Sequence, residues 1–397
     1  MTTTKGVRGT DTIASGMRRY DLADTISLLD ASKYPLLAIL TNAGKDPVTK
    51  KGNPLRKKAT TDPEFRWFED EFGTRTLAVD KTTVKVNPNQ DGETISITGQ
   101  ANLVQVGDVL HVPDLGWTFE VATTPDKNTI TVNKEIGGAT SVEDLNDKEI
   151  WIIGNTNEEG AEVREIKGTT PTRREGYCQI FRTPFGVTET AKQTQTLIKE
   201  NDFDYQRRKK AIEHATDIER AFLFSKAKEI LGAKPKRYTE GVLNAVTDNV
   251  GWGIDTEPEF EEWLEDAFRH GNTEKYLFAA PSILSMIIGW AKNKVQLIQS
   301  DETYGILITR YISHHGTLNI IKHPLLTGAY GKTAVCLDME CLDYRYVTNR
   351  DTKLLTNRQN PGADQRIDEY LTECGLQIKE IKKHAKMSME EDPALSA

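Results

Sequence analysis

Hydrophobic positions change their period several times along this chain, and each change marks an element. Residues 204–231, DYQRRKKAIEHATDIERAFLFSKAKEIL, contain no Gly and no Pro. Within them Ala211, Ile212, Ala215, Ile218, Phe222 and Ile230 recur at steps of three, four or their multiples, which is one helical stripe. Asn201 or Asp202 caps the start, and Gly232 stops the other end in a left-handed turn. The spacing predicts a helix over 201–231, roughly 45 Å long at 1.5 Å per residue. A coiled coil fits poorly, because YQRRKK at 205–210 interrupts any apolar seam. Two kinds of strut remain: the central helix of a large enzyme domain, or the backbone of an elongated structural subunit.

Elsewhere the period falls to two. Between Asp91 and Gly154 lie ETISITG, GDVLHV, WTFEVAT, NTITVN and EIWIIG, separated by Gly, Asp, Asn and Pro at the spacing of a small β-barrel or sandwich. Extended segments flank this module, EFRWFEDEF at 64–72 and EGYCQIFRTPFGVT at 175–188, so an all-β module is inserted in a hairpin. After the long helix, TEPEFEEWLEDAFRHG predicts another, with Thr256 and Glu259 at capping-box spacing and Pro258 in the first turn. KYLFAA, TLNIIK and TAVCLDM are apolar enough for central strands, and PSILSMIIGWAKN adds a helix between the first two. Residues 241–340 therefore form an α/β or α+β lobe, and residues 341–385 return as strands. The N-terminal region offers a short helix, DLADTISLLDAS, broken at Tyr34-Pro35. The last segment, 386–397, has little to bury and reads as a flexible tail.

A hydrophobic fraction of 37% and a charged fraction of 28% describe an ordered chain with a sizeable core. The net charge of −8 argues against a dedicated nucleic-acid binder. Residues 1–60 depart from that balance, with eleven Lys/Arg against five Asp/Glu. Lys50, Lys51, Arg56, Lys57 and Lys58 form the densest stretch, which reads as a solvated arm or one that meets an anionic partner. Cys178, Cys336, Cys341 and Cys374 are too irregularly spaced for a disulfide framework or a zinc site, and fit buried thiols in a reducing compartment. No signal peptide and no apolar run of membrane-spanning length is present, so the expected location is cytoplasm.

Motifs for chemistry are weak. GAYGKT at 328–333 has Leu326 where a phosphate loop needs its first Gly, and a strand follows it in place of a helix. His314, His315 and His323 lack an acidic or cysteine partner at metal-ligand spacing. Glu261-Glu262 and Glu69/Asp70 fit solvated faces. No catalytic residue, cofactor or metal site is expected.

A two-stranded ribbon is marginal in water by itself, so a hairpin that carries a module needs another surface to lie on. Here the order of parts resembles the tailed-bacteriophage major capsid proteins of the Hong Kong 97 fold. GYCQIFRTPFGVTETA followed by DFDYQRRKKAIEHATDIERAFL resembles the loop-return strand and spine helix of one branch of that family. KYLFAAPSILSMI, YISHHGTLNIIKHPLL and TAVCLDMECLDYRYV are similar to its axial lobe and the way back to the peripheral domain. VGDVLHV through EIWIIGNTNEEG is similar to the β-insertion of some members.

The resemblance implies an α+β, Hong Kong 97-like fold. Its parts would be an N-terminal arm (1–62), an extended loop (63–186) with an inserted β-module at about 90–155, and a peripheral domain (187–240) with the spine helix. An axial domain (241–340), return strands and the tail would follow. Copies would assemble as pentamers and hexamers into an icosahedral or prolate shell around double-stranded DNA, in the cytoplasm of a bacterial host. Expected partners are the chain itself, a separate scaffolding protein, the portal vertex, packaged DNA through non-specific contact and a decoration protein, with no membrane. Trp67, Phe68, Glu69, Asp70, Tyr177 and Phe181 of the extended loop would contact an adjacent subunit, or the aromatics would be buried in their own hairpin. Arg207, Arg208, Ile212, Ile218 and Phe222 belong to the spine helix, whose basic end would face a neighbour or the interior. Two rival readings are an encapsulin-like compartment, told apart by cargo enzyme against genome, and a soluble enzyme with a deep polar pocket in residues 241–340.

Overall fold

A computed structural model describes residues 34–41, 44–45, 52–53, 56–80, 85–97, 99–139, 141–146, 148–164, 166–193, 202–294, 298–299 and 308–391. The short N-terminal helix expected at 21–32 lies outside them, as do Lys50 and Lys51. The chain divides into two compact units, one of residues 1–67 and 173–397 and one of residues 68–172.

The first unit holds two larger sheets. In one, β12 (Gln179–Thr188), β23 (Gln365–Ile378), β21 (Leu342–Val347) and β3 (Lys57–Thr60) lie in that order, and β22 (Lys353–Leu355) also pairs with β23. Alternation along β12 turns Phe181 and Phe185 inward and leaves Arg182 and Pro184 exposed. The inward residues, with Tyr370, Cys374 and Leu376 of β23, share one core with Ala211, Ala215, Ile218 and Phe222 of the long helix α3 (Asp202–Phe224). Every residue from Tyr34 to Leu40 is buried in that core too, as the root of helix α1 (Pro35–Thr41).

The other sheet has seven strands: β15 (Val250–Gly251), β24 (Ala385–Ser388), β20 (Thr333–Leu337), β16 (Glu274–Ala279), β19 (Thr317–Lys322), β18 (Ile308–Ile312) and β17 (Ile298–Gln299). Leu277, Ile320, Cys336 and Met387 pack on Phe260, Trp263 and Leu264 of α5 (Glu257–Phe268) and on Ile283 and Ile287 of α6 (Pro281–Lys294). From the opposite face Tyr276, Phe278, Ile321 and Val335 enter the α3 core. Cover on both faces is why KYLFAA and TLNIIK read as unbroken apolar runs. The capping box of α5 is formed, with Thr256 N donating to Glu259 Oε2 at 3.1 Å.

Shorter pairs complete this unit: β1 (Gly44–Lys45) with β2 (Gly52–Asn53), β4 (Glu64–Glu69) with β11 (Thr172–Tyr177), and β13 (Lys228–Ile230) with β14 (Lys236–Tyr238). Two small helices, α2 (Glu189–Gln193) and α4 (Val242–Ala245), flank α3 in sequence. The second unit is one antiparallel sheet, ordered β5 (Thr76–Ala78), β10 (Glu149–Asn155), β7 (Asp108–Val112), β8 (Trp117–Thr123), β9 (Thr129–Val132) and β6 (Glu93–Ser96). Leu110, Val112, Trp117, Phe119, Val121, Ile130 and Ile150 fill its core.

Three expectations change. The long helix ends at Phe224, about 35 Å from its start. Asn244 Nδ2 donates to the carbonyls of Phe224 and Ser225 at 2.6 and 3.1 Å, and a Cβ on Gly241 would stand 2.8 Å from the Leu223 carbonyl. The stop is thus supplied by α4 and the residue before it; SKAKEILG carries no breaker until Gly232, and Ile230 stands exposed on β13. The segment read as a tail begins as a strand, because Ala385 and Met387 alternate into the core of the seven-stranded sheet. Residues 179–186, expected within the extended loop, belong to β12 and pair with β23 along their length.

Lys275 on β16 is fully buried, and its Nζ donates to the carbonyls of Ala267, His270 and Lys383 at 2.6 to 2.7 Å. Burial lowers its pKa, and three oxygens stand in for the lost water. Lys275→Met keeps the stem but strands those carbonyls, so we expect a loss of about 2–3 kcal/mol in urea unfolding. An unchanged midpoint would show that the ammonium is dispensable.

Candidate assembly surfaces

On β4 the expected loop residues take different places. Trp67 is half-buried and stacks on Phe65 at 6.0 Å, Phe68 is 70% exposed, Glu69 is half-buried and Asp70 is exposed. Tyr177 is half-buried at the end of β11, with its hydroxyl 3.1 Å from Glu175. Phe181 is 8% exposed and belongs to the α3 core, so it is no loop anchor. On α3, Ile218 and Phe222 are buried, Ile212 and Arg207 are half-buried and Arg208 is exposed.

The basic stretch is no free arm where it is described. Arg56 is buried, and its carbonyl accepts from Tyr344 N. Lys57 pairs with Asp351 beneath the rings of Tyr344 and Tyr346, and Lys58 pairs with Asp343 at 2.8 Å. These cations are placed against the sheet's own carboxylates because β3 pairs in parallel with β21, although Lys58 itself stays exposed. Nothing local in KKGNPLRKK announces that pairing.

In the second unit the segment after Asn155 has an inverted surface. Arg164 donates to the Val106 carbonyl and to Asp108, and Lys167 to the Leu103 carbonyl, while Val163 and Ile166 are 95% and 98% exposed. Phe72 is fully exposed on the entering segment. Cations bonded to the unit's own carbonyls and large apolar side chains left in water give this segment an exposed apolar surface.

Polar groups that periodicity misses lie in the first unit's core. Glu219 on α3 accepts from Leu36 N, Leu37 N and His323 Nε2, each at 2.8 Å. His323 is therefore structural, while His314 and His315 are exposed. His214 sits between Thr183 Oγ1 and Thr372 Oγ1 at 2.8 and 2.7 Å, and His384 accepts from Asp338 N and faces the Lys379 carbonyl. Burial pushes both imidazoles down to about 4. Burial also raises the thiols of all four cysteines, which are free and inert. Among the described residues no group of three or more His, Cys, Asp and Glu is placed to hold a metal ion, and no helix is long and apolar enough to cross a membrane. GAYGKT forms a 3-10 turn at Gly328–Tyr330 and runs into β20.

The family model described as SU10 major capsid protein matches residues 2–390. The chain belongs to the SU10 major capsid protein family. This is a family of structural capsid proteins, not of enzymes, and its members form the virion shell. The capsid protein carries the α+β elements read from its sequence: a long helix on one sheet, a second sheet with its helices, and an all-β unit inserted between β4 and β11. It is 23% identical over 254 residues to the major capsid protein of Pseudomonas phage PaMx41, a match across 59% of this chain and 61% of that relative's length. Similar solved structures include the capsid of Myoviridae phage XM1 (9% identity, 58% of this chain and 81% of that chain, TM-score 0.41). Mycobacterium phage Bobi gives 6% identity over 97% and 95% at a TM-score of 0.43. The holo-SrpI encapsulin complex of Synechococcus elongatus PCC 7942 gives 13% over 56% and 78% at 0.42.

Proposed function

We propose that the capsid protein closes, by ring-forming contacts between copies, into pentamers and hexamers of an icosahedral or prolate shell around double-stranded DNA. Membership of the family across residues 2–390 carries this reading. It is supported by the exposed Phe68, Phe72, Val163 and Ile166 on the segments that enter and leave the second unit. Those residues, with Trp67 and Asp70, form the extended-loop contact with an adjacent copy. Assembly takes place in the bacterial host cytoplasm with a separate scaffolding protein and a portal vertex, and a decoration protein binds the finished shell. A net charge of −8 lets packaged DNA slide with only non-specific contact.

Light scattering followed by negative-stain electron microscopy tests the reading at several salt and protein concentrations. Rings, sheets or hollow shells are expected, and nucleic acid inside particles from infected cells separates a virion from a cargo compartment. A discrete monomer or dimer that persists when a scaffolding protein is co-expressed would overturn it.

A further inference from the structure

Charge is divided unevenly between the two units. Residues 68–172 hold nineteen Asp/Glu and eight Lys/Arg, so this unit carries −11 and the remainder of a chain of net −8 carries +3. The acidic charge begins at FEDEF, residues 68–72. Phe68 and Phe72 are 70% and fully exposed, and between them Asp70 is exposed with no partner among the described residues. An aromatic–carboxylate–aromatic segment therefore stands in water.

The outward face of the five-stranded sheet has the opposite character. Alternation places Arg182 and Pro184 of β12 beside Ile367, Glu369 and Glu373 of β23 on the side away from α3. Glu369 is shared by Arg182 and Arg358, Glu373 takes Arg350, and Asp343 takes Lys58 and Lys379. Five cations thus meet three carboxylates, which are only 5–7% exposed, while the three arginines are 44–57% exposed. A guanidinium has five N–H groups, and Arg182 uses two nitrogens on Glu369, so donors remain for a second anion. A shallow cleft lined by Arg182, Pro184, Arg358, Ile367 and Glu369 gives those donors an apolar floor.

We propose that residues 68–72 of one copy seat on this arginine-rimmed face of a second copy, with Asp70 on Arg358 and Arg182, and Phe68 and Phe72 on the floor of Pro184 and Ile367. The docking rests on the shell-forming reading and specifies which surface of the neighbour receives the extended loop. Charge complementarity selects a second copy as the occupant: this acidic segment is present once on every subunit, at the same concentration as the face it fits.

Three experiments test it. Asp70→Lys stands on an exposed position and is expected to fold normally, yet to raise the protein concentration needed for shells at least tenfold. Adding Arg358→Glu restores part of that loss; Arg182 continues to neutralise Glu369, so this variant keeps its ion pair. Copies of Asp70→Cys co-assembled with copies of Arg358→Cys are expected to give a disulfide-linked dimer in shells under mild oxidation. All four native thiols are buried, so the introduced pair is the reactive one. Shells that form from Asp70→Lys at the wild-type concentration, or mixed shells that yield no linked dimer, overturn the docking and leave the shell-forming reading standing. Recovery of the Arg182 and Arg358 face bound to nucleic acid or to an acidic scaffolding protein in finished shells also overturns it. Failure of the unaltered chain to form any shell removes both.

Discussion

Between about pH 6.5 and pH 4 the unassembled capsid protein is expected to lose about 3 kcal/mol of folding stability for each of His214 and His384. Both imidazoles are fully buried, and burial holds them at about 4 against an ordinary value of 6.5. In that window the unfolded chain binds protons that the folded chain refuses, so stability falls as pH falls and levels out below about 4. The hydrogen bonds show why neither ring welcomes a second proton. Thr372 donates its hydroxyl hydrogen to Thr352 and so accepts from His214 Nε2, which leaves His214 Nδ1 to accept from Thr183. Likewise His384 Nδ1 accepts from Asp338 N while Nε2 donates to the Lys379 carbonyl. Urea midpoints at pH 7.5, 5.5 and 4.5 measure the slope, and His384→Asn with His214→Gln should flatten most of it. Carboxylates held low by partners, such as Glu369 beside Arg182 and Asp343 beneath Lys379 and Lys58, lose their contribution only lower, below the ordinary carboxylate range. A slope unchanged in the double variant would assign the acid response to other groups.

Much of the fold is legible because burial on one or both faces writes itself into the period of the sequence. The inserted strands alternate since their sheet has one packed face, and ETISITG, GDVLHV, WTFEVAT, NTITVN and EIWIIG each appear as strands. KYLFAA and TLNIIK lose alternation since both of their faces are covered. What the sequence hides depends on residues far away. The end of α3 at Phe224 is set by Asn244, and β3 is a strand only because Tyr344 to Val347 lie alongside it. The arginine face is hidden for a similar reason. Arg182, Arg350 and Arg358 look like scattered surface charge until β12, β22 and β23 bring them over Glu369 and Glu373. Aromatics in the loop segments were visible, but which of them stay exposed was not: Phe181 follows the alternation of β12 into the core, while Phe68 follows that of β4 outward.

Replacing Glu219 is expected to have the largest effect of any single change in the first unit. In the sequence it is one more acid on a charged helix, four residues after Ala215 and three before Phe222. In the fold its side chain is inaccessible to solvent and holds three elements together. Its oxygens accept from the first free N–H groups of α1 at Leu36 and Leu37, 183 and 182 residues away, and from His323 at the end of β19, 104 residues away. His323 Nδ1 accepts from Leu325 N at 3.2 Å, so Nε2 carries the proton that Glu219 receives. Negative charge at the start of α1 also suits the partial positive charge of a helix N-terminus. Glu219→Ala leaves three buried donors with no acceptor, and a loss of about 3–5 kcal/mol is expected in urea unfolding. Glu219→Gln keeps one acceptor oxygen but turns an amide toward donors, so it should fall between wild type and alanine. Because α1 is buried along almost its whole length yet spans only seven residues, its place depends heavily on this carboxylate. Trypsin should therefore cut at Lys33 or Lys45 at least tenfold faster in the alanine variant, before global unfolding sets in. Equal rates would mean that packing of Leu36, Leu37 and Leu40 against α3 holds the arm root without the carboxylate.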